Sequence, residues 1–132
     1  MIDQQVAREI PNEWVEAWNS RDPHRFLARV SDDFELWAPA THEIAGESGD
    51  VLRGKAALTA YWARARRLAP ELRFEVLTTL LVRDSVTVYY KGVGGGLAAE
   101  SFFFDSDHKV CRALTMVGGF LSFGRARRRH PG

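Results

Sequence analysis

Residues 97–104 read Leu-Ala-Ala-Glu-Ser-Phe-Phe-Phe, and this stretch decides the fold of the C-terminal half. A run with one charge and three aromatic residues predicts a β-strand, whose side chains point alternately to the two faces of a sheet. Glu100 then shares a face with Ala98, Phe102 and Phe104. An unpaired carboxylate on an apolar face is costly to bury, so Glu100 must find a partner, hold a proton or face a cavity. The stretch therefore predicts a sheet with an acid on its buried side.

Further strands precede and follow this one. Apolar and polar residues alternate on both sides of it, and glycine-rich or aspartate-rich segments separate the alternating runs. Short turns between long neighbouring strands predict an antiparallel meander. The four predicted strands are 72–82, 86–91, Leu97–Phe104 and Val110–Val117.

The N-terminal half has helical periodicity. Val6, Ile10, Trp14 and Trp18 recur at a spacing of four and predict one apolar stripe along a helix. Pro11 interrupts the stripe and leaves two alternatives: the main helix begins there, or a longer helix kinks there. Residues 19–21 are expected to end it.

Two shorter elements and a third helix follow. Asp22 and Pro23 predict the start of a short second helix. Residues 34–38 predict a short strand. The polar segment 40–52 is typical of a loop over an opening. Gly54 precedes the third helix, which ends near Pro70. Its predicted inner face consists of Leu58, Tyr61, Trp62 and Ala65. The predicted order of elements is helix, helix, strand, helix and then an antiparallel meander, and this order indicates an α+β domain.

Composition narrows the class of protein. The chain has 132 residues, enough for one domain, with 45% hydrophobic residues and a formal net charge of +1. Four arginines between Arg125 and Arg129 leave the rest of the chain acidic, which argues against nucleic-acid binding by the fold itself. Cys111 is the single cysteine, so no internal disulfide can form. No segment has the apolar length of a signal peptide core or a membrane span, and we expect a soluble cytoplasmic protein without membrane contact.

Several short motifs, in this order, resemble the nuclear-transport-factor-2-like superfamily, in its SnoaL-like polyketide cyclase and steroid delta-isomerase branch. They are Trp-Asn-Ser-Arg-Asp at 18–22, Ser-Asp-Asp-Phe at 31–34, Gly54 with Tyr-Trp at 61–62, and Glu-Ser-Phe-Phe-Phe-Asp at 100–105. The resemblance extends from about Val6 to Gly118. We accordingly expect one SnoaL-like domain over residues 1–118 and a C-terminal extension over 119–132.

The resemblance implies a cone-shaped, curved antiparallel sheet wrapped around the N-terminal helices, as in cystatin-like architectures. The open end of the cone would be a ligand pocket, and the outer sheet face would form a homodimer. Trp62 rather than Tyr61 is assigned to the pocket, because members of the family place an aromatic residue with a polar tip there. The predicted pocket residues are Trp14, Trp18, Ala38, Trp62, Val86, Val88, Tyr90 and Phe102.

Glu100 is the predicted catalytic residue. It lies where steroid-isomerase-like members carry an acid that donates a hydrogen bond to a developing oxyanion, a role that needs a protonated carboxyl group near neutral pH. Two partners of that pattern differ here: Trp14 replaces a tyrosine, and Ala38 replaces the general-base aspartate. Steroid-type isomerisation is therefore not expected. A purely structural Glu100, bonded to Trp14 or Tyr90, remains an alternative.

Other chemistries receive less support from the sequence. The aspartate–arginine–aspartate set of epoxide-hydrolase-like members has no counterpart in Tyr89–Lys91 or Arg112–Leu114. His42 and Glu43 could deliver a base from a lid, although an exposed loop is the alternative. No metal-ligand spacing occurs, and we expect neither metal nor cofactor.

The sequence predicts two possible functions. The first is binding or conversion of a mostly apolar organic ligand, by cofactor-free isomerase, cyclase or hydratase chemistry. The second is a non-catalytic ligand-sensing or dimeric assembly domain of the same fold, which would use the outer sheet face.

Overall fold

The structure, a computed structural model, describes residues 3–38 and 51–118, which form three α-helices, one short 3-10 helix (Val93–Gly95) and six strands. The helices are α1 (Gln4–Ser20), α2 (His24–Leu27) and α3 (Lys55–Leu68). The strands are β1 (Val30–Trp37), β2 (Val51–Arg53), β3 (Glu75–Val82), β4 (Ser85–Lys91), β5 (Leu97–Phe104) and β6 (Val110–Val117).

The strands form one curved, open sheet in the order β2-β1-β6-β5-β4-β3, with the N-terminal helices packed against it. The predicted α+β cone is confirmed, and β3 to β6 form the predicted antiparallel meander. One pair differs from the expectation, because β1 runs parallel to β6 and makes the sheet mixed. A parallel neighbour needs a long connection, and here almost the whole domain separates the two strands.

The first helix passes through Pro11, so the alternative in which it begins at that residue is wrong. Its N-terminus is capped by Asp3, whose carboxylate accepts a 2.7 Å hydrogen bond from the backbone N–H of Gln5. Ile10, Trp14 and Trp18 are buried, as the stripe predicts. The helix ends as expected at Arg21, which has φ 68° in the left-handed region.

Two polar contacts fix α1 against the rest of the domain. The Arg29 guanidinium bonds the carboxylates of Glu9 and Glu13, and Glu13 is itself buried. The Asn19 side chain accepts from the backbone N–H of Phe74 at 2.8 Å and donates to its carbonyl at 2.9 Å. These contacts set the position of Trp14 and Trp18 over the sheet.

The remaining elements follow the predictions with shifted ends. The predicted inner face of α3 is confirmed, because its four residues are buried. β1 begins at Val30 rather than at residue 34, since Val30 and Phe34 both pack in the core. Residues 51–53 belong to a strand that pairs with β1, where a loop was expected.

Within the described ranges, no helix is long and apolar enough to cross a membrane. The predicted C-terminal extension lies outside the described residues.

Candidate functional site

Glu100 lies on the concave face of the sheet, in the middle of β5. Its neighbours across the ladder are Val88 on β4 and Thr115 on β6. Only 5% of Glu100 is exposed, and the adjacent inward residues Ala98 and Phe102 are buried as well. The carboxyl group therefore lies among apolar side chains, away from bulk water.

Thr115 supplies the hydrogen bond that Glu100 needs. Its hydroxyl donates to Oε1 of Glu100 at 2.6 Å. Burial raises the pKa of Glu100 from 4.5 to about 8, and the bond from Thr115 opposes this rise only in part. At neutral pH the group is consequently a neutral carboxylic acid. Such a group keeps an O–H that can donate to a bound molecule.

One tyrosine, Tyr90, lies close enough to Glu100 to interact with it electrostatically, and a second, Tyr61, lies close to Tyr90. Tyr90 is the inward residue of β4 next to Val88, and Tyr61 projects from α3. Burial raises the pKa of Tyr90, and nearby Glu100 and Tyr61 raise it further. All three side chains are buried. Together they form a polar cluster, defined here as Glu100, Thr115, Tyr90 and Tyr61.

Trp14 covers this cluster from α1 through ring contacts. Its ring centroid lies 4.9 Å from that of Tyr90 and 5.7 Å from that of Phe102. Among the described residues, the hydrogen bond on the Glu100 carboxyl comes from Thr115 and not from Trp14 or Tyr90. Trp14 thus acts here as an apolar wall.

Trp62 lies on another side of the interior. Its ring centroid is 4.8 Å from that of Trp18 and 5.6 Å from that of Phe26. Successive helical residues diverge by about 100°, so Tyr61 points elsewhere and lies near Tyr90 instead. Tyr61 is therefore the residue of α3 nearest to the polar side of the interior through Tyr90, and the assignment of Trp62 to the pocket stays a prediction.

The described chain leaves the sheet at the same end after β1 and after β6. β1 and β6 are parallel, with Trp37 opposite Leu114, so Ala38 and Gly118 leave the sheet at one end. Gly118 is tied there by a 3.0 Å bond from its N–H to the Leu97 carbonyl. Glu100 and Thr115 lie a few residues from this end. The predicted lid residues His42 and Glu43 lie outside the described residues.

The other predicted pocket residues are all on the inner face. Val86, Val88, Phe102, Trp18 and Ala38 are buried, and Val86 pairs with Phe102 across β4 and β5. Ala38 follows the last residue of β1 and carries no group that could accept a proton. In the described ranges, no group of three or more His, Cys, Asp or Glu side chains could hold a metal ion.

Comparison with known proteins identifies the family. The family model described as "SnoaL-like domain" matches residues 12–117. A SnoaL-like protein of unknown function from Burkholderia thailandensis shares 42% identity and superposes with a TM-score of 0.80, over 89% of this chain and 98% of that one. The chain belongs to the SnoaL-like family. No curated protein matches it.

More distant structures share only the fold with this SnoaL-like domain. A protein with a cystatin-like fold from Methylobium petroleophilum has 13% identity and a TM-score of 0.72, over 96% of this chain and 84% of that one. The epoxide hydrolase/cyclase-like enzyme SalBIII has 18% identity and a TM-score of 0.65, over 89% and 95%. Their similarity supports the cone architecture and leaves the chemistry to the residues of this chain.

Two members of the polar cluster, Thr115 and Tyr61, were not assigned to the site from the sequence. Period-2 alternation along β6 is enough to place Thr115 on the inner face, because its neighbours Leu114 and Met116 point outward. Tyr61 required the rotation of α3 about its axis, which the pattern of four apolar residues does not define. The SnoaL-like domain thus places one hydroxyl, that of Thr115, on Glu100 and a second, that of Tyr61, near Tyr90, and the family motifs indicated neither.

The outer face of the same sheet carries apolar side chains. Trp37, Tyr89, Leu97 and Met116 are exposed on β1, β4, β5 and β6. Arg112 also lies there, with its guanidinium carbon 4.9 Å from the ring centroid of Phe103. This pair screens part of the apolar surface.

Proposed function

We propose that this SnoaL-like domain binds a small, mostly apolar organic molecule on the concave side of its sheet, with Glu100 as the acid that contacts it. The observation that carries the proposal is the buried carboxyl group of Glu100, whose described hydrogen bond comes from Thr115 alone. A neutral acid held in apolar surroundings can donate a hydrogen bond to a ligand oxygen that water does not reach.

The chemistry that fits this acid is a cofactor-free isomerisation, cyclisation or hydration. Donation from Glu100 would stabilise negative charge that develops on a carbonyl or ether oxygen of the substrate. Ala38 offers no base, and the raised pKa of Tyr90 keeps its phenol neutral. A base from His42 or Glu43 stays a prediction. SalBIII, which shares this fold, is described as an epoxide hydrolase/cyclase-like enzyme in pyran ring formation, and this supports a small-molecule substrate for the present domain as well.

A ligand screen with two matched variants tests the proposal. Small apolar molecules that carry one oxygen acceptor should raise the melting temperature of the wild-type protein and bind more weakly to Glu100→Gln. Glu13→Gln is the control, because Glu13 is also a buried glutamate but pairs with Arg25 and Arg29. It should change stability while it leaves ligand affinity intact. Equal affinity of all three proteins, or no shift with any ligand, would oppose the proposal.

A second function is favoured by the outer face. Its exposed Trp37, Tyr89, Leu97 and Met116 support a homodimer through this surface, in a sensing or assembly domain without catalysis. Under this proposal, Met116→Lys should lower the mass in solution, and Glu100→Gln should alter neither the mass nor any partner contact. A monomeric wild-type protein would contradict it.

A further inference from the structure

The edge strand β3 carries the densest group of exposed apolar side chains in the described part of the chain. Leu77, Leu80, Leu81 and Val82 are 41%, 61%, 58% and 66% exposed. Leu81 pairs with the buried Val86 of β4 but is itself open to solvent, because β3 ends the sheet. Apolar side chains on both faces of an edge strand are unusual in a monomer, since such edges favour pairing with another chain.

No charge or proline protects this edge. Residues 76–82 read Val-Leu-Thr-Thr-Leu-Leu-Val, whereas natural edge strands are commonly blocked by lysine, proline or a bulge. A bulge does occur, between Val76 and Thr78, and leaves Thr78–Val82 as the regular part. The uncharged run extends from the bulge to the turn at Arg83.

The outward backbone groups of β3 follow from its hairpin with β4. Val82 and Ser85 flank a two-residue turn, so the Val82 carbonyl points toward β4. Bonding direction alternates along an antiparallel strand, and the N–H and C=O groups of Thr79 and Leu81 consequently point away from β4. No described strand lies on that side.

The charges at the two ends of the run are self-complementary. Glu75 and Arg83 are both exposed, and neither has an ion-pair partner among the described residues. In an antiparallel arrangement with Thr79 on the two-fold axis, the regular segments Thr78–Val82 of the two copies lie side by side, with Thr78 opposite Leu80. Glu75 of one copy then lies at the same end as Arg83 of the other. This register also brings the outward groups of Thr79 together in both copies, as ladder pairing requires.

We propose that the outer edge of β3 pairs with the β3 edge of a second copy of this chain, antiparallel about Thr79. This contact is separate from the outer sheet face. A chain that uses both surfaces would form a closed tetramer or a longer assembly.

Solution masses of four proteins test the contact, measured by sedimentation equilibrium over a range of concentrations. The four proteins are wild type, Glu75→Arg, Arg83→Asp and the double variant. Aspartate is chosen at position 83 because the backbone there has a positive φ, which aspartate tolerates better than glutamate does. Each single variant places like charges at the same end of the contact twice and should raise the dissociation constant about tenfold. The double variant should restore the wild-type dissociation constant. The proposal is overturned if the single variants have the wild-type dissociation constant, or if the double variant associates as weakly as the single variants.

A backbone variant gives a second, independent measurement. Thr79→Pro removes an N–H that points away from β4, so the hairpin within the subunit keeps its ladder while pairing between copies is blocked. We expect loss of the β3 contact with a retained far-ultraviolet spectrum. If the proline variant does not fold, Leu81→Lys replaces it in the measurement. Met116→Lys, on the outer face of the sheet, is the control. If Thr79→Pro and Leu81→Lys both associate as wild type does, the edge contact does not exist. Glu100 takes no part in these variants, so failure here leaves the ligand proposal standing.

Discussion

Thr115 donates a 2.6 Å hydrogen bond to Glu100 across the antiparallel pair of β5 and β6. The bond fixes which carboxyl oxygen accepts, so a proton on Glu100 resides on the other oxygen, Oε2. The orientation of the acid is therefore set by a residue of the neighbouring strand. Because the bond favours the charged form and burial opposes it, the pair also sets the pH range in which the acid can donate.

The stability of the protein should fall as pH rises toward 8. An unfolded glutamate loses its proton near pH 4.5, while Glu100 in the folded protein keeps it to about 8. Between these values the folded state binds one proton more than the unfolded state, and the free energy of unfolding declines by about 1.4 kcal/mol per pH unit. Urea unfolding at a series of pH values measures the slope. Glu100→Gln should remove this component, and the exposed control Glu71→Gln should retain it. A Glu100→Gln slope equal to that of wild type would contradict the assignment.

Thr115→Val should raise the pKa of Glu100 further, because it removes the bond that lowers this pKa at almost constant volume. Thr115→Ser keeps the hydroxyl and should leave the titration near that of wild type. Carbon-13 NMR of the labelled carboxyl group follows the titration directly. If the valine and serine variants titrate alike, Thr115 does not control the acid.

Arg29→Met should destabilise the domain by about 2–3 kcal/mol, because it leaves the buried carboxylate of Glu13 without its main cation. Arg25 also contacts Glu13, at 3.4 Å, but its side chain is 69% exposed. The matched control Arg25→Met should therefore cost less than about 1 kcal/mol. Denaturant midpoints of the two variants give the comparison, and similar losses would show that burial does not separate the two arginines.

Asn19→Ala should cost about 2 kcal/mol, since both backbone groups of Phe74 lose their side-chain partner. Asn12 is exposed on the same helix and provides the control, Asn12→Ala. Because Phe74 packs against Trp14, the loss should also appear in the near-ultraviolet spectrum of the tryptophans. A spectrum identical to wild type would indicate that Asn19 does not position the aromatic core.

Alternation and turn chemistry predicted β5 and β6 to the residue, and they placed Glu100 correctly on the buried face. Local pattern could not predict that β1 runs beside β6, because that pairing depends on the whole chain between them. The helical stripe identified α1 but not its start, since Asp3 supplies a cap upstream of Pro11. For the site, period-2 alternation could have indicated Thr115, which was not singled out, whereas Tyr61 depended on the packing angle of α3. Sequence thus located the acid more readily than its neighbours on other elements.

The parallel pair of β1 and β6 has a consequence for biosynthesis. Val30 pairs with Val110, so the first of the described strands to leave the ribosome finds its central neighbour only after the last of them has emerged. Until then the described partner of β1 is the three-residue β2, and the hairpins of the meander can form before β1 docks on β6. Contacts so distant along the chain slow folding and leave apolar strands open to association. The nascent chain is therefore expected to leave one edge of β1 unpaired until β6 has been synthesised.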